Sequence, residues 1–167
     1  MKASIRLSLA ALLLVSGSIA CQAQQVQPAQ QKIQPVAQSL TKEQQAALDK
    51  QDQDIAQVAS SIIKMIDQNK AAEVWDAASP IAKQIISRED FTKKVAHDRS
   101  PLGTPGVRMP MGVKHYRYDG SGNMPAGAYI NVVFDTQFSQ AAQSSREMVT
   151  FILDSDNMWR FVGYSVH

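Results

Sequence analysis

The sequence contains a single cysteine, Cys21, in 167 residues. One cysteine cannot form a disulfide within the chain or build a cysteine-rich metal cluster, so a disulfide-stapled domain is excluded. Charged residues make up only 19% and aromatic residues 7% of the chain, whereas apolar residues reach 44%. This balance is typical of a folded globular protein, and the length suits one domain of ordinary size.

The sequence also lacks a large excess of basic or of acidic residues. The formal net charge is +2, but Lys2 and Arg6 lie in a segment that we expect to be removed. Without them, 15 basic residues stand against 15 acidic residues, so the mature chain is neutral. A nucleic-acid-binding protein normally keeps a basic surface, and we therefore expect no nucleic-acid partner.

Familiar catalytic, metal and cofactor motifs are absent as well. His97, His115 and His167 do not have the spacing of zinc ligands. The glycines form no G-x-G-x-x-G loop, and no G-x-S-x-G nucleophile motif occurs. We expect no metal site, no cofactor and no catalytic residues, and the sequence leans against an enzyme without excluding one.

The first feature that the sequence does contain is an export signal. Lys2 and Arg6 are followed by a nine-residue apolar run at residues 7–15 and by mainly small residues up to Ala20. This order is that of a bacterial secretory signal, and the run is shorter than the roughly 20 apolar residues of a membrane-spanning helix. We predict a signal peptide at residues 1–21 and export to the periplasm.

Cys21 gives the end of this signal a more specific interpretation. The residues before it resemble a bacterial lipobox, although Ser18 stands where Leu is usual. Ordinary signal-peptidase cleavage after Ala20 or Ala23 is the alternative. Lipidation would explain a lone cysteine in an oxidising compartment, and Gln22 beside it resembles an outer-membrane address. We predict lipid attachment at Cys21, with membrane contact only through this anchor.

Residues 22–40 are rich in glutamine and poor in charge. They contain eight glutamines, two prolines and one charged residue, Lys32. Such a stretch cannot bury enough apolar surface to offset its ordering entropy, and the prolines oppose a continuous helix. We predict a flexible tether at 22–40 that precedes a single domain at 41–167.

The first half of the predicted domain has helical periodicity. Thr41 and Gln44 form a capping-box pattern. Ser79 lies before a proline, as at the start of a helix, and Ser87 begins a further short helix. Turn-forming residues at 100–106 end the helical half. One apolar stripe follows Thr41 at steps of three and four residues: Leu48, Ile55, Val58, Ala59, Ile62, Ile63 and Ile66.

The second half indicates four strands joined by short turns. Residues 128–138 alternate between apolar and polar side chains, which is the period of a half-buried strand. Pro110 and Gly112 interrupt the strand before it and indicate an edge or a bulge. Further strands are expected at 147–153 and 158–166. We predict an α+β fold in which N-terminal helices pack on a four-stranded antiparallel sheet.

The last two predicted strands are apolar on both faces. In the final strand, alternation places Trp159 and Phe161 on one face and Tyr164 and Val166 on the other. A sheet that carries helices on one side needs only one apolar face. Two explanations stay open: a strongly curved sheet that closes on its own loops, or another molecule over the outer face, most simply a second copy in a homodimer.

Several stretches of the chain carry a resemblance to a known family. From about residue 58 to residue 167 the chain resembles a bacterial exported family, the domain of unknown function 4019, and it departs from that pattern at Met158, where Gly is usual. The resemblance implies a cystatin-like or nuclear-transport-factor-like curved sheet and no established activity. The stretches that carry it are 72–79 (AEVWDAAS), 87–91 (SREDF), 99–103 (RSPLG) with Arg108, 129–138 (YINVVFDTQF), Glu147 and 159–164 (WRFVGY).

Two arginines are the candidate ligand-binding residues. Arg99, before the Pro-Leu-Gly stretch, either ties a loop down through carbonyls or a carboxylate, or captures an anion together with Arg108. His97 and Asp98 are neighbours on a predicted helix and do not face each other, which disfavours an acid–base pair. If the domain were an enzyme, the polar groups of its pocket would come from Asp98, Tyr116, Tyr129 and Asp135.

These observations favour an exported cell-envelope protein whose domain binds an envelope protein or a small ligand without catalysis. Two alternatives remain. One is a small enzyme with a pocket in a nuclear-transport-factor-like fold, and the other is a structural or assembly protein of the envelope.

Overall fold

The longest helix, α1 (Lys42–Asp67), begins at the capping box predicted from the sequence. In the computed structural model, which describes residues 40–121 and 124–167, the Thr41 hydroxyl accepts from the Gln44 amide and the Gln44 side chain accepts from the Thr41 amide. The helix buries Ile55, Ala59, Ile62, Ile63 and Ile66. Val58 lies at the margin of this stripe and is exposed. The predicted signal peptide, Cys21 and nearly all of the predicted tether lie outside the described residues.

Three shorter helices follow: α2 (Ala71–Asp76), α3 (Pro80–Ile85) and α4 (Arg88–Arg99), with a 3₁₀ turn at Ser100–Leu102. The side chains of Ser79 and Ser87 cap α3 and α4, as the sequence predicts. Across the described ranges, no helix combines the length and the apolar character that crossing a membrane requires.

The strands form one antiparallel sheet in the order β1-β2-β3-β4. Its strands are β1 (Pro105–Tyr118), β2 (Gly127–Phe138), β3 (Ser145–Leu153) and β4 (Trp159–Val166). The predicted α+β class and the antiparallel meander are therefore confirmed. β1 is an edge strand, and its pairing with β2 shifts between Pro110 and Gly112, where the sequence indicates an edge or a bulge. The cystatin-like curvature stays a prediction.

The core lies between the helices and one face of the sheet. Alternate residues of β2 point into it, which confirms the half-buried strand predicted from the period of two. The other edge strand, β4, is contacted by the junction between α2 and α3, because the Ser79 amide donates to the Phe161 carbonyl at 2.8 Å. The buried sheet residues of the core are Ile130, Val132, Phe134, Phe138, Val149, Phe151, Phe161, Tyr164 and Val166.

A bulge in β4 corrects the prediction that its apolar residues divide between two faces. Thr150 pairs with Gly163 but the next residue, Phe151, pairs with Phe161, so Val162 is an extra residue in the strand. The insertion shifts the alternation by one position. Phe161 and Tyr164 consequently both belong to the core, although strict alternation places them on opposite faces.

Candidate functional site

The two arginines singled out in the sequence meet inside the protein. Arg99 is the last residue of α4, and Arg108 lies near the start of β1. Both guanidinium groups contact the same two carboxylates, which belong to Asp67 and Glu147. These contacts are those expected if an arginine ties a loop down through a carboxylate.

Glu147 is fully buried and accepts four hydrogen bonds. Its Oε1 accepts from Nη1 of Arg99 at 2.5 Å and from the Tyr164 hydroxyl at 2.6 Å. Its Oε2 accepts from Nε of Arg108 at 2.7 Å and from the Thr136 hydroxyl at 2.5 Å. A buried carboxylate is tolerated only when it is paired and hydrogen-bonded in this way, so Glu147 is the centre of the site.

Asp67 closes the other side of the pair of arginines. It is the last residue of α1, and its Oδ1 accepts from Nη2 of Arg99. Arg108 donates to the same carboxylate through Nη1 at 3.1 Å and Nη2 at 3.3 Å. We call these six residues the arginine network: Asp67, Arg99, Arg108, Thr136, Glu147 and Tyr164. They come from α1, from α4 and from each of the four strands.

The charges of the arginine network cancel. Burial would lower the pKa of Arg99, but Tyr164, Glu147 and Asp67 outweigh burial and raise it. Asp67 and Glu147 likewise raise the pKa of Arg108 against the effect of burial. Burial and the Glu147 carboxylate raise the pKa of the Tyr164 phenol above its ordinary value of 10.0. Two guanidinium and two carboxylate charges therefore stand beside a neutral phenol.

A cavity of about 650 Å³ opens beside one end of the arginine network. Asp67 and Arg99 are the two charged residues of its lining, and their side chains are 20% and 12% exposed. The rest of the lining consists of small apolar, hydroxyl and amide residues: Ile66, Asn69, Ala71, Ala72, Thr92, Val95, Ala96, Ser100, Gly103, Thr104, Pro105, Ser139 and Gln140.

Two loops that line the cavity are hydrogen-bonded to each other. The Ser139 amide donates to the Thr104 carbonyl and the Gln140 amide donates to the Leu102 carbonyl, both at 2.9 Å. Gly103 between them has a φ of +79°, and a Cβ there would clash with Oγ of Ser139. Glycine is therefore required at this position both for backbone conformation and for close approach.

The other polar residues named in the sequence do not reach the cavity. Asp98 pairs with Lys94 on the surface of α4 at 2.7 Å. The Tyr129 hydroxyl donates to a backbone carbonyl, and Tyr116 is exposed on β1. Asp135 pairs in register with Met109 and Arg146, away from the cavity lining. None of these four residues lines the cavity described here.

The histidines also lie apart from the site. Nε2 of His115 is 2.7 Å from Oδ1 of Asp52 and joins β1 to α1 at the protein surface. Within residues 40–121 and 124–167, no three His, Cys, Asp or Glu side chains group as a metal site would require.

Sequence reasoning missed the carboxylate partners of the arginines. Glu147 shares the alternate positions of β3 with buried Val149 and Phe151, and a charged residue on that face indicates a buried pair. For Asp67 no such signal exists, because a carboxylate at the end of an amphipathic helix looks like an ordinary surface residue.

Comparisons with known proteins identify a family for most of the domain. A family model described as "Protein of unknown function (DUF4019)" matches residues 58–164, a stretch that contains the whole arginine network. A search of curated proteins finds no match.

Proposed function

Since this chain belongs to the DUF4019 family, whose description assigns no activity, we propose its function from the site itself. The domain binds a small ligand in the cavity beside Asp67 and Arg99, and it does so without catalysis. The proposal rests on one observation: Asp67 and Arg99, which belong to a hydrogen-bonded network without net charge, line a cavity.

The dimensions and rigidity of the cavity support a binding role. A volume of about 650 Å³ falls within the roughly 300–1,000 Å³ of small-molecule sites. Arg99 is held by Glu147, Tyr164 and Asp67, so its guanidinium has a fixed position before a ligand arrives. A preorganised group loses little conformational entropy on binding, which favours affinity.

The chemistry of the lining favours recognition over reaction. Among the lining residues none is a histidine or a cysteine, and the two charged groups already bind each other. The Thr104 hydroxyl contacts Oγ of Ser139, and the Thr92 hydroxyl donates to the backbone of its own helix. Hydroxyls and amides held in this way provide hydrogen bonds rather than an activated nucleophile.

Nuclear magnetic resonance tests the proposal on the ¹⁵N-labelled protein with a library of small soluble fragments. We expect bound fragments to shift the amide signals of Ala72, Ala96 and Gly103. Ala96 is an exposed residue of the lining, so Ala96→Leu adds bulk to the cavity wall without disturbing the core and should weaken binding and reduce these shifts. Ala47→Leu, at an exposed position of α1 that does not line the cavity, is the matched control. Fragments that bind elsewhere, or equally well to the Ala96→Leu variant, would refute the proposal.

The place of this function is the cell envelope. The N-terminal sequence supports export, and Cys21 supports a lipid anchor at the outer membrane with residues 22–40 as the tether. In this arrangement the cavity is accessible to small molecules of the periplasm close to the membrane. The homodimer expected from the sequence stays a prediction.

A further inference from the structure

We infer that the cavity selects an uncharged ligand whose recognised end carries a hydrogen-bond donor beside an acceptor, as a vicinal diol or a primary amide does. The inference rests on the proposed function, since it names the class of ligand for the same cavity. It starts from Asp67 and Arg99, the two charged residues of the lining within the part of the chain that the structure describes.

The charge of the cavity wall argues against an ionic ligand. Arg99 and Arg108 share two carboxylates, so neither guanidinium has an excess charge to offer an anion. An anion that approaches Arg99 meets the Asp67 carboxylate beside it, and a cation that approaches Asp67 meets Arg99. Both repulsions are strengthened by the partial burial of the pair.

Unused hydrogen-bonding positions remain on both groups. A guanidinium has five N–H donors, and Arg99 uses Nη1 for Glu147 and Tyr164 and Nη2 for Asp67. Among the hydrogen bonds of the described residues, none involves Nε of Arg99. The Asp67 carboxylate has about four lone-pair sites and accepts three N–H groups, from Arg99 and Arg108. The two lining residues therefore keep hydrogen-bonding capacity of both kinds, a donor on Arg99 and an acceptor on Asp67.

The rest of the lining fits the same class of ligand. Asn69 and Gln140 are exposed residues of the lining, and their side-chain amides both donate and accept. The hydroxyl of Ser139 accepts from the amide and hydroxyl of Thr104 and keeps its own proton for donation. Alanines 71, 72 and 96 leave room for the carbon skeleton of a small polar molecule.

Titration of the labelled protein with small probes tests this inference. The neutral probes are methyl β-D-glucoside, which carries vicinal diols, and acetamide; the charged probes are inorganic phosphate, acetate and methylammonium. We expect at least one neutral probe to shift the amide signals of Ala72 and Gly103 and to bind at least about tenfold more tightly than every charged probe. Which neutral probe binds distinguishes a diol from an amide.

A charge-changing variant provides the sharper test. Asp67→Asn keeps an acceptor oxygen but leaves the two arginines with one carboxylate, so the wall gains a positive charge. We expect phosphate to bind this variant about tenfold more tightly than it binds the native protein. Asp76→Asn makes the same charge change at an exposed ion pair with Arg88 and should not alter phosphate binding at the cavity.

The possible failures are distinguishable from one another. If phosphate or acetate binds the native cavity as tightly as the neutral probes, the inference about ligand class is wrong and the proposed binding function stands. If neither the probes nor the fragment library shifts the cavity amides, the proposed function is wrong as well. If Asp67→Asn does not fold, the affinity of the native protein for a neutral probe is measured at low and high ionic strength instead. This affinity should not change with ionic strength, and a marked loss of binding at high salt overturns the inference.

Discussion

Arg108 on β1 and Glu147 on β3 form an ion pair across the intervening strand β2, with Nε of Arg108 2.7 Å from Oε2 of Glu147. The strand between them contributes Thr136, whose hydroxyl accepts from Arg108 at 3.2 Å and donates to Glu147 at 2.5 Å. The ion pair thus links three strands on their buried face. Arg99 extends the link to helix α4, so a single carboxylate organises both layers of the fold.

Replacement of this carboxylate should be strongly destabilising. Glu147→Gln leaves Arg99 and Arg108 with Asp67 as their one remaining carboxylate partner among the described residues. Because breaking a buried ion pair strands a charge in a low-dielectric interior, we expect a loss of about 3 kcal/mol in the free energy of unfolding. Urea denaturation followed by circular dichroism measures this loss.

The matched control for that variant removes a carboxylate at the surface. Asp76→Asn breaks a pair with Arg88 in which both side chains are 51% exposed. Solvent already screens this pair, so its loss should shift the urea midpoint very little. Equal shifts for Glu147→Gln and Asp76→Asn would show that burial of the arginine network does not stabilise the fold.

Tyr164→Phe tests the neutral member of the network. The change removes a donor to Glu147 and an acceptor for Arg99, and we expect a loss of about 1–2 kcal/mol. Burial and the Glu147 carboxylate raise the pKa of Tyr164 above its ordinary value of 10.0. The stability that the protonated phenol contributes is therefore fully present below pH 10.0, and it is lost as the pH rises through the raised pKa.

The difference between the native protein and Tyr164→Phe should therefore depend on pH in one direction only. Urea midpoints measured from about pH 8 to about pH 11 should be farthest apart at the lower end and converge at the upper end. Tyr116→Phe, at an exposed residue, is the control for ordinary tyrosine titration. A difference that grows with pH would contradict the role assigned to the phenol.

The membrane anchor is tested in cells of a bacterium that processes lipoproteins. We expect the native protein in the outer-membrane fraction and Cys21→Ser in the soluble periplasmic fraction, because three acyl chains bind a bilayer almost irreversibly at about 0.8 kcal/mol for each buried methylene. Mass spectrometry of the native N-terminus should detect the added lipid. Native protein that is already soluble in the periplasm would favour ordinary cleavage after Ala20 or Ala23.

Local patterns in the sequence were sufficient for most of the fold. The capping box at Thr41 and the caps at Ser79 and Ser87 are hydrogen bonds between residues at most three positions apart. A short stretch of sequence is therefore enough to predict them. The alternation along β2 is likewise a local property, and the interruption of β1 at Pro110 follows from the missing amide of proline.

The carboxylate partners of the arginines are a different kind of feature. Arg99 lies 32 residues from Asp67 and 48 from Glu147, and these contacts exist only after the helices pack on the sheet. Two arginines were recognisable as a pair of candidates, but no local pattern selects their partners. The β4 bulge was missed for a similar reason: the identity of Val162 does not indicate whether it pairs or protrudes.

The contact between Ser79 and Phe161 affects how copies of the protein can associate. Because the Ser79 amide binds an outward carbonyl near the start of β4, that edge cannot take up a further strand along its whole length. The β1 edge carries the exposed side chains of Val107, Met109 and Met111. A further strand would therefore pair more readily along the β1 edge than at the start of β4.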